Sequence, residues 1–216
     1  MHVLFEDREE AGRRIAKRLM AFRQSEAVIL AIPRGGVPVA ATAAQRLQIN
    51  WGFIVTRKLP VPTNPEAGFG AIAADGSTAL NKAMLTGLRL RQSQIDRITE
   101  EVRAEVKRRD AVYSEARPPA DISGRPVIIL DDGLASGYTM LAAIESVRRR
   151  GPSRVIAAAP VASRSAAAMI EQSADETAFD IVSPAVPFAV ADFYVVWHDL
   201  TDDDILPLLR RLEVKA

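Results

Sequence analysis

The run VIILDDGLASGYTM, residues 127–140, combines an apolar segment, two adjacent carboxylates and a loop of small residues. Val127–Leu130 predicts a buried β-strand, and Arg125-Pro126 marks its start. Residues 133–139 predict a tight loop that opens a helix, because apolar residues at helical spacing follow them. Backbone N–H groups and the positive end of the helix dipole would then surround one point, which favours phosphate.

Asp131 and Asp132 lie at the carboxyl end of the predicted strand, next to this anion site. Two aspartates repel phosphate unless they face another group, such as sugar hydroxyls or a divalent cation. The combination therefore favours a sugar phosphate as the ligand. The alternative is a buried strand that meets an ordinary turn with two solvated aspartates.

The same positions resemble the motif with which type I phosphoribosyltransferases bind 5-phosphoribosyl 1-pyrophosphate (PRPP): an apolar strand, an acidic pair, and a loop of small and hydroxyl residues. Ser136 stands where threonine is commoner, so a hydroxyl is kept. The resemblance implies that Asp131 and Asp132 hold the ribose hydroxyls, directly or through Mg²⁺. It implies that the 5′-phosphate is bound by the loop residues Gly133, Leu134, Ala135, Ser136, Gly137, Tyr138 and Thr139.

The composition is that of an ordinary globular domain, with 216 residues, 48% hydrophobic and 25% charged. A net charge of +1 gives no general attraction to nucleic acid or anionic membrane, so we expect neither DNA, RNA nor a membrane as a partner. The absence of cysteine and the presence of only two histidines exclude disulfides, thiolate nucleophiles and His-rich zinc sites. No signal peptide or membrane-spanning run is visible, so we expect a cytoplasmic protein.

Wholly apolar runs between helix patterns predict a parallel sheet that is buried on both faces. Such strands are predicted at residues 27–32, 50–56, 127–130, 154–161 and 177–182. We therefore predict an α/β fold with a doubly wound, mainly parallel sheet flanked by helices. The resemblance implies a single domain over residues 1–216, with a core at about 24–162 and a small hood, from about 1–23 and 183–216, that selects the acceptor.

Pro33-Arg34-Gly35-Gly36 follows the first predicted strand. Its glycines let the backbone approach a ligand, and an arginine at the carboxyl end of a strand can bind pyrophosphate with its fork of N–H groups. Alone, this run is typical of a plain turn. Together with the acidic pair it resembles the pyrophosphate loop of the same family, which implies a cis peptide at Pro33–Arg34.

Arg57 and Lys58 end the predicted third strand, where family members present a basic residue to pyrophosphate; the alternative is solvated surface. With Asp131 and Asp132, Lys58 is our catalytic candidate. Residues 59–70 contain three prolines and two glycines, which favour neither a helix nor a central strand. By resemblance, we expect there the mobile loop that covers the reacting centre and excludes water.

The rest of the chain carries weaker signals. Asp75-Gly76 predicts a hairpin turn, and residues 91–116 predict a long helix whose charged side is either solvated or the arm of a homodimer. Asp7 and Thr201 are predicted helix N-caps. Phe193, Tyr194 and Trp197 either pack the C-terminal helix or stack on an acceptor ring. Arg164 and Trp197 are the base-binding candidates, while His198 is interpreted as a structural residue.

The resemblance implies a pentosyltransferase that moves the 5-phosphoribosyl group from PRPP to a nitrogenous acceptor, such as a nucleobase, with Mg²⁺ as cofactor and release of pyrophosphate. Residues 59–70 hold only Glu66 as an ionisable group, whereas orotate enzymes place lysine and histidine there, which counts against orotate. The alternative is a non-catalytic regulatory protein of the same fold that binds PRPP or a nucleotide. The absence of GxxxxGK[ST] and GxGxxG loops counts against other phosphate-binding α/β enzymes.

Overall fold

A computed structural model of the chain describes residues 4–62 and 64–211, without the side chains of residues 65 and 66. The helices are α1 (Arg8–Arg18), α2 (Gly36–Leu47), α3 (Lys82–Leu88), α4 (Gln92–Ala116), α5 (Tyr138–Arg148), α6 (Arg164–Glu171) and α7 (Asp202–Arg210). The strands are β1 (Val28–Ala31), β2 (Asn50–Phe53), β3 (Thr56–Val61), β4 (Asn64–Ala73), β5 (Thr78–Leu80), β6 (Pro126–Leu130), β7 (Arg154–Ser163) and β8 (Glu176–Ser183). Short 3-10 helices cover Met20–Phe22 and Val190–Phe193.

The central sheet has five parallel strands in the order β2-β1-β6-β7-β8. Successive residues of a strand point to opposite faces, and in β1 and β6 both faces are buried. Ile29 and Ile128 pack on the side of α1 and α2, whereas Val28 and Val127 pack on the side of α5 and α6. Helices therefore cover both faces, and the predicted doubly wound parallel sheet is confirmed.

A second sheet of three antiparallel strands, β3-β4-β5, contacts α4 and α5. It corrects the predicted loop at residues 59–70, because β3 and β4 form a hairpin in which Leu59 lies opposite Gly70. Leu59 and Phe69 are fully buried in the same hydrophobic cluster as α4. The pairing shifts register on both sides of Pro60, and such irregularities are where a strand tolerates proline. Thr63 lies outside the described residues.

The same sheet changes the setting of the predicted basic pair. The third predicted strand ends at Phe53, and Thr56 starts β3 in the second sheet. Arg57 and Lys58 therefore lie within β3 and not at the end of a central strand. The predicted hairpin at Asp75-Gly76 is present, but its loop is longer than the two-residue turn predicted, since the Ala73 N–H donates to the Ser77 carbonyl at 2.8 Å across three residues.

The two end segments of the described chain meet beside the central sheet. The Phe5 N–H donates to the Phe193 carbonyl, and the Val195 N–H donates to the Phe5 carbonyl, each at 2.8 Å. The Phe5 and Tyr194 rings lie 5.3 Å apart between centres. The aromatic residues after β8 therefore pack on the N-terminal segment and not on the C-terminal helix. The division into core and hood stays a prediction, and residues 1–3 and 212–216 lie outside the described chain.

Both predicted helix caps are confirmed. The Asp7 carboxylate accepts from the Glu10 N–H at 2.7 Å, and Thr201 caps α7 with Asp204 closing a capping box. The helix α7 runs through Pro207 without a break. Across residues 4–62 and 64–211, each helix is too short or too polar to cross a bilayer.

Replacing Leu59 by alanine should lower the free energy of unfolding by about 2–5 kcal/mol, because a fully buried leucine in a packed hairpin leaves a cavity when truncated. Chemical denaturation measures this cost. Leu80→Ala in β5 is the control, since Leu80 is 39% exposed and its truncation should cost less than about 1 kcal/mol. Equal, small costs for both variants would contradict a packed hairpin at residues 59–70.

Candidate active site

The loops that follow β1 and β6 meet at the carboxyl edge of the central sheet. The Asp132 N–H donates to Asp131 Oδ1 at 2.9 Å, which shapes the turn after β6. A Cβ atom on Gly35 would overlap the Asp132 carboxylate, and one on Gly36 would approach the Leu130 carbonyl oxygen to 2.6 Å. Both positions therefore need glycine for the two loops to touch. The structure thus brings two residues of the predicted pyrophosphate loop, Gly35 and Gly36, next to the acidic pair.

Arg34 lies in the loop after β1, and the expected cis peptide at Pro33–Arg34 is present. Its guanidinium is about one-third exposed, and Nη1 lies 3.5 Å from Asp202 Oδ1 at the start of α7. Tyr113 of α4 donates its hydroxyl to the same carboxylate oxygen at 2.6 Å. Burial and this hydrogen bond raise the pKa of Tyr113, so the phenol stays protonated. Arg34 is thus paired with α7 through Asp202, and Tyr113 of α4 holds the same carboxylate.

Arg8, at the start of α1, forms a buried ion pair with the acidic motif. Its Nε donates to Asp132 Oδ2 at 2.9 Å, and its Nη1 donates to the His198 carbonyl at 3.1 Å. Its Cζ lies 4.0 Å from the centre of the Trp197 ring, within cation–π range. The Tyr194 hydroxyl donates to the Asp132 carbonyl at 2.6 Å. Sequence analysis missed Arg8, because its partner is 124 positions away and only the fold brings them together.

The two carboxylates have different electrostatic environments. Burial raises the pKa of Asp131 well above its ordinary value, and the neighbouring Asp132 charge raises it further. Burial also raises the pKa of Asp132, but the Arg8 guanidinium opposes that shift. Asp132 therefore has an internal counter-ion, whereas the negative charge of Asp131 is only weakly compensated.

The predicted phosphate loop runs from Gly133 into α5. The Leu134 N–H donates to the Val161 carbonyl at 2.9 Å, and the Ser163 hydroxyl donates to the Ala135 carbonyl at 2.7 Å, so the loop is fixed to the end of β7. Gly137 immediately precedes the helix and has a φ of 79°, a conformation that residues with a Cβ atom rarely adopt. The first N–H groups of α5 have no partner within the helix and lie where an anion would be attracted. Ser136 is exposed, and Tyr138 and Thr139 are half-buried.

A group of basic side chains surrounds Glu105 on α4. Arg108 and Arg109 donate to its carboxylate at 2.9 and 2.7 Å, and Arg57 Nη1 lies 3.7 Å from it. The hydrogen bonds from Arg108 and Arg109 lower the pKa of Glu105 to about 2. Burial and the nearby Arg109 lower the pKa of Arg57. Sequence analysis missed this group as well, because no local pattern joins α4 to Arg57.

The remaining predicted site residues lie in β3, at the start of α6 and after the second 3-10 helix. Lys58 is half-buried and, as the next residue in β3, points to the opposite face of the hairpin from Arg57, so the two do not face one ligand together. Arg164 is the first residue of α6 and is exposed next to the loop that Ser163 anchors. Trp197 is half-buried and packs its ring on Arg8, so it is not an open stacking surface.

The two carboxylates of the site are ligands of the kind that magnesium uses. Among the described residues, no group of three or more histidine, cysteine, aspartate or glutamate side chains could enclose a metal ion. Magnesium is commonly held by one or two carboxylates together with water and substrate phosphates. Asp131 and Asp132, next to a predicted phosphate loop, fit that pattern.

Comparisons with known proteins agree with this geometry. Residues 6–194 match the family model described as "Phosphoribosyl transferase domain". Two Mycobacterium tuberculosis proteins, from strains CDC 1551 and H37Rv and both named "Putative phosphoribosyl transferase", are 36% identical to the chain over 208 residues. The match covers 96% of this chain and 47% of each relative, so the chain spans about half of their length.

Solved structures show the same fold. The crystal structure of TT1426 from Thermus thermophilus is 35% identical in sequence, with a TM-score of 0.78 over 96% of this chain and 98% of that one. The structure of AQ2163 from Aquifex aeolicus is 15% identical, with a TM-score of 0.51 over 82% of this chain and 73% of that one. This second similarity concerns the fold alone.

Asp131→Asn should stabilise the protein at pH 8 and have no effect near pH 4. The folded-state pKa of Asp131 is raised above its ordinary value of 3.8, so the folded protein binds this proton more tightly than the unfolded chain does. The free energy of unfolding therefore falls as pH rises from about 4 through the folded-state pKa. Asparagine removes this loss and can still accept the Asp132 N–H. We expect a melting temperature about 2–4 °C higher at pH 8, the shift that about 1 kcal/mol causes in a domain of this size.

Thermal unfolding followed by circular dichroism between pH 4 and 8 measures the difference. Asp132→Asn is the comparison variant, and it should lower the melting temperature at pH 8 because it leaves Arg8 buried without its partner. A wild-type protein that is more stable than Asp131→Asn at pH 8 would disprove the unfavourable burial of Asp131.

Proposed function

The chain belongs to the phosphoribosyl transferase family, and on that basis we propose that it transfers the 5-phosphoribosyl group of PRPP to a nitrogenous acceptor and releases pyrophosphate. The contact between the Arg34–Gly36 loop and the acidic pair, next to the start of α5, carries this proposal. It places groups suited to pyrophosphate, ribose hydroxyls and 5′-phosphate around one point. PRPP carries a pyrophosphate, ribose hydroxyls and a 5′-phosphate in one molecule, which supports it as the ligand.

In the proposed complex, the 5′-phosphate binds at the start of α5, where the backbone N–H groups and the hydroxyls of Ser136 and Thr139 can donate to it. Asp131 and Asp132 face the ribose hydroxyls. Arg34 and the backbone at Gly35 and Gly36 bind the pyrophosphate, and Arg57 and Lys58 are further candidates from β3. Each group thus binds a separate part of the ligand, which fixes the anomeric carbon for attack.

The proposed chemistry is a displacement at that carbon. A ring nitrogen of the acceptor forms a bond to the anomeric carbon, while the bond from that carbon to the pyrophosphate oxygen breaks with its electron pair leaving on pyrophosphate. Positive charge develops on the ribose, and the nearby carboxylates stabilise it. No covalent intermediate with the protein is required.

Magnesium is the proposed cofactor, and when bound it would neutralise charge on the pyrophosphate. Asp131 and Asp132 would hold it indirectly, through water or the ribose hydroxyls. The acceptor is proposed to be a nucleobase, and Arg164, the first residue of α6, is its proposed contact. Trp197 is a weaker candidate, because its ring is packed on Arg8.

One observation favours a second function, in which a non-catalytic regulatory protein binds PRPP or a nucleotide. Leu59, Pro60 and Val61 pair with Gly70, Gly68 and Asn64 in a hairpin, and Leu59 and Phe69 are buried, so this part of the chain is not free to close over the site. A transferase needs its reacting centre shielded from water. The experiment must therefore distinguish ligand binding without turnover from transfer.

Calorimetric titration with PRPP, with and without Mg²⁺, tests PRPP binding, the step that both functions share. Pyrophosphate release over a panel of purine, pyrimidine and other nitrogenous acceptors tests transfer. Magnesium-dependent binding with release for one acceptor supports the transferase. Binding without release for any acceptor supports the regulatory protein. An absence of PRPP binding would overturn the transferase and, of the regulatory proteins, the one that binds PRPP.

The double variant Asp131→Asn/Asp132→Asn should keep its fold and lose PRPP binding, because amides cannot replace carboxylates as acceptors for ribose hydroxyls or as magnesium partners. Calorimetry measures the affinity, and circular dichroism checks the fold. Asp96→Asn on α4 is the control, since that carboxylate is exposed and away from the acidic pair. Unchanged PRPP affinity in the double variant would remove the acidic pair from the site.

A further inference from the structure

Arg8 is the least expected member of the site, and nothing in the phosphate or pyrophosphate motifs accounts for it. We propose that Arg8 is a positioning residue: it neutralises Asp132 and holds that carboxylate against Gly35, so that pyrophosphate can bind beside the acidic pair. This inference rests on the proposed function, because it assigns Arg8 a part in binding the same ligand.

The ion pair is buried, which makes it a fixed feature of the site. The side chains of Arg8 and Asp132 are 8% and 13% exposed, and their closest atoms lie 2.9 Å apart. The Arg8 guanidinium is held by Asp132 on one edge, by the His198 carbonyl on another, and by the Trp197 ring on its face. A charge held in this way by three partners keeps its position when the ligand enters.

The position of Asp132 explains why it needs a counter-ion. Its carboxylate lies directly against Gly35, in the loop that would bind pyrophosphate. Two ionised aspartates there would place two negative charges next to a polyanion, and their repulsion would be strong because little water screens it. Arg8 cancels one of these charges. Arg34, the basic residue of that loop, is itself close to Asp202 and cannot supply the whole compensation.

The geometry separates this role from direct contact with the ligand. Two of the five N–H groups of Arg8, on Nε and Nη1, are already used, and the side chain is only 8% exposed, so its remaining N–H groups have little access to a ligand. A residue that bound pyrophosphate directly would need free donors towards the Gly35 loop. Arg8 therefore acts through Asp132, and its effect on binding must depend on the presence of that carboxylate.

A charge-compensation experiment tests this dependence. The probe is pyrophosphate without Mg²⁺, titrated by calorimetry into the full chain, because this ligand uses neither the ribose hydroxyls nor the metal that Asp132 is proposed to hold. Arg8→Gln should weaken pyrophosphate binding about tenfold, since it exposes the site to one uncompensated charge. The double variant Arg8→Gln/Asp132→Asn removes both charges and should return to within about threefold of wild type. Arg8→Lys keeps the charge and should also bind within about threefold.

Arg13→Gln is the matched control, because it removes an arginine from the same helix where the side chain is 39% exposed and its ion pair with Glu9 is long, at 3.8 Å. It should bind pyrophosphate as wild type does.

If Arg8→Gln does not fold, the Asp132→Asn variant alone tests the proposal. Removing its carboxylate frees the Arg8 charge and should tighten pyrophosphate binding at least about threefold. Unchanged or weaker binding by Asp132→Asn would then overturn the proposal.

The outcomes distinguish this inference from the proposed function. Wild-type affinity in a folded Arg8→Gln variant overturns the role of Arg8 and leaves the proposed function intact. Equal weakness of Arg8→Gln and the double variant also overturns it, because the effect of Arg8 would then not run through Asp132. Failure of the wild-type protein to bind either PRPP or pyrophosphate overturns the proposed function itself, and the inference with it.

Discussion

The contact between the loops after β1 and β6 is the constraint on which the site depends. Adjacent parallel strands end at the same edge of a sheet, and β1 and β6 pair in register from Val28 with Val127 to Ala31 with Leu130. The loops that follow must therefore share one small space. They do so because Gly35 and Gly36 carry no Cβ where the Asp132 carboxylate and the Leu130 carbonyl stand.

This close packing buries two carboxylates, and burial is unfavourable for a charged group. Asp131 and Asp132 are shielded from water, and the raised pKa of each records that cost. The fold compensates the two unevenly: the chain ends supply Arg8 to Asp132, while Arg8 lowers the pKa of Asp131 only weakly against its burial. Buried carboxylates with perturbed pKa values are common at functional sites, so this unequal compensation supports the proposed ligand site.

The sequence predicts those parts of the site that are local in the chain. The strand, acidic pair and loop at residues 127–140 follow from neighbouring residues, as do Gly35, Gly36 and the helix caps. The Arg8–Asp132 pair joins residues 124 positions apart, and no local pattern encodes it. The hairpin at residues 59–70 was wrongly predicted as a loop, since proline content does not reveal that Pro60 falls at a register shift. The predicted position of Arg57 and Lys58 at the end of a central strand was wrong for a related reason, because the chain changes sheets just before them.

The backbone pairing of Phe5 with residues 193 and 195 gives the site a remote point of thermodynamic linkage. If this pairing opens locally, α1 loses one of its contacts, and the hold of Arg8 on Asp132 weakens. Linkage is reciprocal, so a polyanion that needs Arg8 in place also holds the segment closed. The amide of Phe5 would then exchange its hydrogen more slowly when the site is occupied, although it touches no ligand. The exchange rate of the Phe5 amide would therefore report on ligand binding at the acidic pair.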